Sequence, residues 1–424
     1  MTVQDIHKLF LASTGVCTDT RKIKKGQLFF ALKGENFNGN EFAEEALNSG
    51  AAYCIIDEES FNTNKDFVLV NNVLESLQQL ATFHRDYLKI PILALTGSNG
   101  KTTTKELIAA VLSKKFNLAA TIGNLNNHIG VPLTLLSMNE QTEFGVVEMG
   151  ANHQKEIAFL CSIAKPDYGY ITNFGKAHLE GFGGFEGVIK GKSEMYHYIK
   201  DYGKLFFYNA DDILMVEKVS SGNTYSFSED AKADVKVEKV TADPFVVARY
   251  NDQEISSKLI GSYNFTNIAA AIAIGNYFNV TDDAIVDALE TYEPKNNRSQ
   301  LIKKGSNTII LDAYNANPTS MKAALEHIST LKEDKKWVIL GDMFEVGEST
   351  AKEHQAIGDW ISGLSFDRAY LIGNAFASIE INNDSIKLFN DFESLKVAFE
   401  MPENATILIK GSRGMKLERV LELL

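Results

Sequence analysis

A lysine and a threonine that directly follow a glycine-containing turn form the chemically most informative segment of the chain. The apolar run at residues 90–95 predicts a strand, and apolar residues after Lys101 recur at helical spacing. Between them, Gly97 and Gly100 allow backbone N–H groups to point into the concave side of the turn, where they can bind phosphate oxygens. The positive end of the following helix also attracts a polyphosphate to this place. Lys101 can reach the β- and γ-phosphates, and Thr102 can hold Mg²⁺. The segment therefore predicts a site for ATP or GTP.

The spacing of this segment differs from the common phosphate-binding motif G-x-x-x-x-G-K-[ST]. Leu95 stands where the first glycine of that motif belongs, so the chain carries the tighter variant T-G-x-x-G-K-T. A chance glycine turn before a helix is the alternative, but strand, turn, Lys-Thr pair and helix all agree. We expect the nucleotide to contact Thr96, Gly97, Ser98, Asn99, Gly100, Lys101, Thr102 and Thr103.

Composition limits the possible partners and compartments. Of 424 residues, 45% are apolar, and the formal net charge is −13. The length predicts two to four domains, and the negative charge argues against nucleic acid or an anionic membrane as partner. Cys17, Cys54 and Cys161 lie far apart, which is typical of reduced thiols in the cytosol. The charged start lacks a signal-peptide core, and no long apolar run occurs. We expect a soluble, cytoplasmic monomer that does not insert into a membrane.

Alternating strand-like and helix-like runs predict an α/β fold of three domains. Short β-like runs in residues 1–88 indicate a small amino-terminal α/β domain, and residues 89–294 alternate like a parallel sheet covered by helices. Short alternating runs in residues 222–258 are interpreted as antiparallel strands inserted into this central domain. A pause at residues 293–297 predicts a linker, after which four strand candidates predict a Rossmann-like domain over residues 295–424.

Two residues that follow predicted strands, and one lysine in a helical segment, could ligate a metal or carry charge. Glu148 follows an apolar run, where P-loop enzymes place a carboxylate toward the metal, although an ordinary acidic loop residue is the alternative. His178 follows another such run, but a lone histidine is more often a hydrogen-bonded structural residue. Lys192 lies in a helical segment, where by itself it would be a solvated lysine.

Polar loops after strands of the third domain predict a second substrate pocket. Asp312, Tyr314, Asn315 and Asn317 follow one strand and end at a proline suited to begin a helix, with an Asn-rich capping turn as the alternative. The loops at residues 341–345 and 410–414 follow two further strands. The second contains a lysine, two glycines and Arg413, which together favour an anion.

These motifs together resemble the Mur ligase family of peptidoglycan synthesis over essentially the whole chain. The tight variant T-G-S-N-G-K-T-T is the family's own form of the phosphate-binding motif. The resemblance is closest to the branch that adds D-alanyl-D-alanine. It rests further on T-D-T-R at residues 18–21, N-L-N-N-H-I-G-V-P-L-T at 124–134, Y-N-A-N-P at 314–318, L-G-D-M-F-E at 340–345 and K-G-S-R-G at 410–414.

The resemblance implies roles for individual residues. Lys101, Glu148, His178 and Lys192 would be catalytic, and Lys192 would be carbamylated by CO₂, with Lys190 as a nearby alternative for the alignment. Two Mg²⁺ ions would be held by Thr102, Glu148, His178 and the Lys192 carbamate. Further nucleotide contacts would come from Asn264, Asn267, Arg298 and Asp312. The substrates would contact Thr18, Asp19, Thr20, Arg21, Asn124, Asn127, Tyr314, Asn315, Asn317 and Arg413.

The resemblance also implies the reaction. The γ-phosphoryl group of ATP would pass to the terminal carboxylate of UDP-N-acetylmuramoyl-tripeptide, and the amine of D-alanyl-D-alanine would displace phosphate. The first domain would bind the uridine nucleotide, and the third would close on ATP. Alternatives are a sister ligase that adds the third amino acid, a folylpolyglutamate-synthase-like ligase, or a non-catalytic nucleotide-binding regulator.

One residue and one short segment depart from the family pattern. Tyr263 stands where the family usually has a histidine, beside the nucleotide-binding asparagines. Residues 36–40, N-F-N-G-N, replace the common D-G-H pattern of the first domain. Contacts to the nucleotide and to the uridine group are expected to differ there.

Overall fold

The computed structural model describes residues 1–219, 221–230, 232–294 and 298–424, which build three parallel-stranded modules named here by the predicted boundaries. The amino-terminal module (residues 1–88) has a four-stranded parallel sheet in the order β1-β2-β5-β6 and a small antiparallel hairpin, β3-β4. Its elements are α1 (Val3–Leu11), β1 (Val16–Cys17), β2 (Leu28–Phe30), β3 (Lys33–Gly34), β4 (Phe37–Asn38), α2 (Ala43–Asn48), β5 (Tyr53–Ile56), β6 (Phe67–Leu69) and α3 (Val73–Leu88).

The central module (residues 89–294) has a seven-stranded parallel sheet in the order β13-β12-β11-β10-β7-β9-β8, beside a three-stranded antiparallel sheet, β14-β15-β16. Its strands are β7 (Ile92–Thr96), β8 (Leu118–Ala120), β9 (Phe144–Glu148), β10 (Tyr168–Ile171), β11 (Leu205–Asn209), β12 (Thr224–Ser228), β13 (Val235–Lys236), β14 (Glu238–Thr241), β15 (Phe245–Tyr250) and β16 (Gln253–Ile260). Its helices are α4 (Lys101–Leu112), α5 (Gly130–Leu136), α6 (Glu156–Ala164), α7 (Leu179–Phe182), α8 (Phe185–Tyr202), α9 (Ile213–Lys218), α10 (Asn264–Tyr277) and α11 (Asp282–Thr291).

The carboxy-terminal module (residues 295–424) has a six-stranded sheet in the order β17-β18-β22-β19-β20-β21, in which only the edge strand β17 is antiparallel. Its strands are β17 (Gln300–Lys304), β18 (Asn307–Asp312), β19 (Lys336–Gly341), β20 (Arg368–Ile372), β21 (Ile386–Phe389) and β22 (Thr406–Lys410). Its helices are α12 (Pro318–Thr330), α13 (Thr350–Ser362), α14 (Asn374–Ala377) and α15 (Phe392–Ala398).

The fold class is confirmed, and the structure corrects the following details of the predicted elements. The strand before the phosphate-binding turn begins at Ile92 rather than at residue 90. The interpretation of residues 222–258 as wholly antiparallel is wrong for β12 and β13, which extend the parallel sheet, and it holds for β14 to β16. Of the predicted linker, residues 295–297 lie outside the described residues.

Helix α3 joins the first two modules through one continuous apolar core. Its buried residues Leu77 and Leu80 belong to the same cluster as Phe30 of the first sheet and Leu135 and Leu160 of the central helices. On the polar side of the helix, the Arg85 guanidinium contacts Asp167 at 2.9 Å. The amino-terminal and central modules are therefore packed as one body around α3.

A buried histidine pair connects α1, α3 and the central module. His84 Nε2 lies 2.9 Å from the Met138 carbonyl oxygen, and His84 Nδ1 lies 3.0 Å from His7 Nε2. Because the carbonyl can only accept, His84 carries its proton on Nε2, and His7 Nε2 donates to His84 Nδ1. Burial lowers the pKa of both imidazoles below the usual value, and for His7 the neighbouring His84 adds to this effect.

No helix among the described residues is long and apolar enough to span a bilayer.

The histidine pair predicts a loss of stability in acid. The folded state holds both groups neutral, so the unfolded chain takes up more protons once the pH falls below about 6.5, and stability decreases until the folded-state pKa is reached. The double variant His7→Gln/His84→Gln should show a smaller drop in melting temperature between pH 7.5 and 5.5 than the unaltered protein. The matched control is His197→Gln, at an exposed position of α8. An equal drop in melting temperature between pH 7.5 and 5.5 in all three proteins would contradict this prediction.

Candidate active site

The turn between β7 and α4 approaches two neighbouring segments so closely that only glycine fits at two positions. Gly97 has φ +141°, and a Cβ there would lie 1.9 Å from Thr172 Oγ1. Gly100 has φ +77°, and a Cβ there would lie 2.6 Å from Asn267 Oδ1. Both conformations favour glycine in any case. The turn is thus held against the end of β10 and the first turn of α10, with the amino terminus of α4 behind it.

Charged and polar side chains gather where this turn meets the end of β9. The Lys101 ammonium donates to the carbonyl oxygens of Gly97 (2.8 Å) and Ser98 (3.3 Å). Burial lowers the pKa of Lys101, while the charge of Glu148 opposes that change. The Thr102 hydroxyl donates to Glu148 Oε1 at 3.2 Å. These three predicted residues therefore lie together at the start of α4.

Glu148 is buried, and within the described structure only one of its two carboxylate oxygens accepts hydrogen bonds. It is 1% exposed, and its Oε1 also accepts from Asn126 Nδ2 at 2.8 Å. Its Oε2 accepts no hydrogen bond from any residue that the structure describes. A buried carboxylate oxygen without a donor is costly, and a cation would satisfy it.

Lys105 and Thr121 support Glu148 from behind, and the sequence analysis did not identify either. The buried Lys105 ammonium donates to the Thr121 carbonyl oxygen (2.8 Å), and Thr121 Oγ1 accepts from the Glu148 N–H (3.0 Å). Asn126 was missed as well, although it stands between the predicted Asn124 and Asn127. Its position in the same asparagine-rich loop was the available signal.

His178 meets the carboxy-terminal module directly. Its Nδ1 lies 2.5 Å from Glu345 Oε2, and this contact lowers the pKa of the Glu345 carboxyl. Both residues have positive φ, +52° for His178 and +63° for Glu345. Such backbone angles are uncommon for residues other than glycine and cluster at functional sites.

Lys192 is a buried amine. It is 1% exposed, donates to the Ala151 carbonyl oxygen at 3.1 Å and lies 5.1 Å from the centre of the Phe182 ring. Burial, followed by the charge of Lys101, holds the pKa of Lys192 well below its usual range. The alternative of a solvated lysine is therefore wrong for Lys192, whereas Lys190 on the same helix is exposed.

The two predicted asparagines of α10 are buried and tied to α4. Asn264 Nδ2 donates to the Ile260 carbonyl oxygen (2.7 Å), and Asn267 Nδ2 donates to Asn264 Oδ1 (2.8 Å). Asn267 Oδ1 accepts from Thr104 Oγ1 at 3.0 Å. Tyr263, which departs from the family pattern, hydrogen-bonds Ser299 across to the carboxy-terminal module, with 3.0 Å between the oxygens.

The polar loops of the carboxy-terminal module face the phosphate-binding turn. Asp312 forms a partly buried ion pair with Lys410, and the Arg298 guanidinium stacks 3.6 Å from the centre of the Tyr314 ring. Asn317 caps α12 through Oδ1 and donates from Nδ2 to Asn99 Oδ1 at 2.7 Å. The central and carboxy-terminal modules are thus in contact at the site.

One cavity of about 800 Å³ collects most of the predicted residues. Its lining includes Ser98, Asn99, Gly100, Lys101, Thr102, Thr103, Asn124, Asn127, Glu148, His178, Asn264, Asn267, Arg298, Asp312, Tyr314, Asn315, Asn317 and Arg413. Lining residues without a predicted role include Asn126, His128, Phe159, Thr319, Phe344 and Ser412. Thr96, Gly97 and Lys192 are not among the lining residues.

The predicted residues of the amino-terminal module lie apart from this cavity. They are Thr18, Asp19, Thr20 and Arg21. Asp19 caps a short 3₁₀ helix, Thr20–Lys22, and its two carboxylate oxygens accept from Nε and Nη2 of the exposed Arg21 guanidinium, each at 2.8 Å. In the segment that departs from the family pattern, Asn40 is buried and exchanges two hydrogen bonds with Asp57.

The metal ligands predicted from the sequence do not form an all-protein cage. Within the described ranges, no group of three or more His, Cys, Asp or Glu side chains could hold a metal ion. Mg²⁺ commonly uses one or two carboxylates together with substrate phosphates and water. The unsatisfied Glu148 oxygen beside the Thr102 hydroxyl fits that kind of site.

The sequence and the structure match one family along most of the chain. The matching family models are "Mur ligase family, catalytic domain" over residues 13–91, "Mur ligase middle domain" over 95–275 and "Mur ligase, glutamate ligase domain" over 297–413. The chain belongs to the Mur ligase family.

Particular relatives carry more specific names. UDP-N-acetylmuramoyl-tripeptide--D-alanyl-D-alanine ligase of Bacillus subtilis (strain 168) is 36% identical, covering 96% of this chain and 92% of the relative. The crystal structure of MurF from Acinetobacter baumannii superposes with a TM-score of 0.86 at 30% identity, covering 100% of this chain and 98% of the other. MurF ligase from Thermotoga maritima, solved in complex with ADP, has a TM-score of 0.84 at 28% identity, covering 98% and 97%.

Replacement of Gly100 tests the turn geometry. Gly100→Ala should weaken binding of a non-hydrolysable ATP analogue about tenfold or more, because left-handed backbone costs about 1–2 kcal/mol for a residue with a Cβ, and the Cβ also meets Asn267. Calorimetric titration gives the affinity. Gly123→Ala is the matched control, since Gly123 also has positive φ but would place its Cβ in open space. Equal affinities of the two variants would refute the steric argument.

Proposed function

We propose that this chain is an ATP-dependent, ADP-forming ligase that joins D-alanyl-D-alanine to UDP-N-acetylmuramoyl-tripeptide in peptidoglycan synthesis. The observation that carries the proposal is the cavity in which the phosphate-binding turn and the polar loops of the carboxy-terminal module face each other. The relatives named for this reaction match nearly the full chain. Such a cavity suits a reaction that requires ATP and two further substrates in one place.

The reaction is an activation followed by an amide-forming attack. The terminal carboxylate of the tripeptide attacks the γ-phosphorus of ATP, and ADP leaves, which gives an acyl phosphate. The amine of D-alanyl-D-alanine attacks the acyl carbon, inorganic phosphate leaves, and the amine proton is released. Positioning and charge neutralisation dominate such catalysis. Lys101 would offset charge on the phosphoryl oxygens, and contact with the carboxy-terminal module would exclude water from the acyl phosphate.

Residue roles follow from this arrangement. The nucleotide is proposed to bind residues 96–103, the asparagine pair of α10, Arg298 and Asp312. Asn124, Asn127 and the residues Tyr314, Asn315, Asn317 and Arg413 would contact the peptide substrates. Bound Mg²⁺, held by Thr102, Glu148, His178 and a modified Lys192, would supply positive charge for the phosphoryl oxygens.

We further propose the domain boundaries 1–88, 89–294 and 295–424, with the uridine group bound by the amino-terminal module near residues 18–21. Residues 36–40 would contribute differently from the family pattern, because Asn40 is already engaged with Asp57. A cytoplasmic location and a monomeric state stay predictions from the sequence.

The dependence of ADP release on the acceptor tests the function. With Mg-ATP and UDP-N-acetylmuramoyl-tripeptide, D-alanyl-D-alanine should strongly stimulate ADP release, whereas single amino acids should not. Lys101→Ala should lower kcat about 100-fold or more, because it removes a charge aimed at the phosphoryl group. Stimulation by a single amino acid instead of the dipeptide would assign the chain to a sister ligase.

The carbamate on Lys192 has its own test. A neutral amine can attack CO₂ through its nitrogen lone pair and release one proton, and the lowered pKa of Lys192 favours that neutral form. Lys192→Ala should lose activity that short carboxylic acids partly restore, whereas Lys190→Ala, at an exposed position, should not. Carbon-13 NMR with labelled bicarbonate should show a carbamate signal that only Lys192→Ala removes. An unchanged signal or unchanged turnover in Lys192→Ala would rule the modification out.

A further inference from the structure

The segment of residues 173–178, called the connector loop here, is hydrogen-bonded to the phosphate-binding turn at its first half. Ser98 Oγ donates to the Gly175 carbonyl oxygen at 2.9 Å, and the Asn99 N–H donates to Asn173 Oδ1 at 3.1 Å. Asn173 Nδ2 returns a bond to the Asn99 carbonyl oxygen at 3.1 Å. The conformation of the turn therefore fixes where the connector loop runs.

The second half of the connector loop contacts the carboxy-terminal module through Lys176. Its N–H donates to Thr319 Oγ1 in the first turn of α12 at 2.9 Å. Its ammonium lies 2.6 Å from Glu353 Oε1 on α13. One residue of the connector loop thus holds two helices of the neighbouring module.

The Glu353 carboxylate depends on the Lys176 ammonium to balance its negative charge. Its side chain is only 9% exposed, whereas that of Lys176 is 47% exposed. In the described part of the chain, the Lys176 ammonium is the one basic group recorded within ion-pair distance of the Glu353 carboxylate. A buried carboxylate is unfavourable without a compensating charge, so the Lys176 ammonium stabilises the ionised Glu353 where the modules touch. The ion pair consequently favours the arrangement in which the two modules touch.

Close packing beside the ion pair makes the contact specific. Gly347 has φ +65°, and a Cβ there would lie 2.9 Å from Glu180 Cβ, just beyond the connector loop. The Asn99–Asn317 hydrogen bond lies at the same boundary. A small shift of the connector loop would disturb these contacts together, since packed interfaces adopt discrete arrangements rather than deforming continuously.

We propose that Lys176 and Glu353 are positioning residues, an ion pair that holds the carboxy-terminal module over the phosphate-binding turn and transmits the state of that turn through the connector loop. The role in turnover rests on the proposed function, because there the carboxy-terminal module presents the dipeptide to the activated acid. The pair acts on the population of closed molecules, and neither residue is among those that line the cavity.

Charge reversal and charge exchange test the pair. Lys176→Glu and Glu353→Lys should each lower kcat/KM for D-alanyl-D-alanine about tenfold or more, because like charges then face each other across the boundary. The exchanged double variant Lys176→Glu/Glu353→Lys should recover most of that loss. Lys165→Glu is the matched control, since Lys165 pairs with Asp86 at the same 2.6 Å but between the other two modules.

A structural readout separates this proposal from the proposed function. Small-angle X-ray scattering with a non-hydrolysable ATP analogue should give a larger radius of gyration for each single reversal than for the unaltered and exchanged proteins. If the reversals do not fold, the near-isosteric Glu353→Gln is compared in the same way. Unchanged scattering, or a double variant as impaired as the singles, would overturn the proposal. If the radius of gyration changes with the pair as expected but the protein does not ligate the dipeptide, the proposal about the pair stands and only the proposed function is rejected.

Discussion

The close approach of backbone to side chain at the phosphate-binding turn is the constraint on which the rest of the site depends. At Gly97 and Gly100 the space that a Cβ would need is taken by Thr172 and Asn267. Those two residues belong to the end of β10 and the first turn of α10, which are thereby fixed relative to α4. The turn, the connector loop and the asparagine pair can pack as one unit because Gly97 and Gly100 have no Cβ to hold these segments apart.

Buried charge is the second theme of the site. Glu148, Lys192, Glu353 and Lys410 are all largely removed from solvent, although ionised groups are costly to bury. Lys410 and Glu353 each have an opposite charge close by. Glu148 keeps one oxygen unsatisfied, and Lys192 avoids the cost through a lowered pKa. The satisfied groups stabilise the architecture, while the unsatisfied ones are suited to take part in chemistry.

The sequence predicted those parts of the molecule whose residues lie close together along the chain. The sequence predicted the turn between β7 and α4 because its glycines, lysine and threonine lie close together and a strand and a helix flank them. β13 was assigned to the wrong sheet because its two residues, Val235 and Lys236, carry no signal for parallel pairing. Lys176 and Glu353 lie 177 positions apart, so only the folded chain brings them together. The burial that distinguishes Lys192 from Lys190 likewise depends on which face of α8 packs inward.

Helix α3 has a consequence for how the polypeptide can be divided. The apolar side of α3 packs between helices of the amino-terminal and central modules. The domain boundary predicted from the sequence nevertheless lies directly after this helix. A fragment beginning at residue 89 would leave Leu135 and Leu160 facing water and would be prone to aggregate, whereas residues 1–294 retain that contact. The amino-terminal and central modules would therefore move together during turnover, and so would the two ends of the long substrate that these modules are proposed to bind.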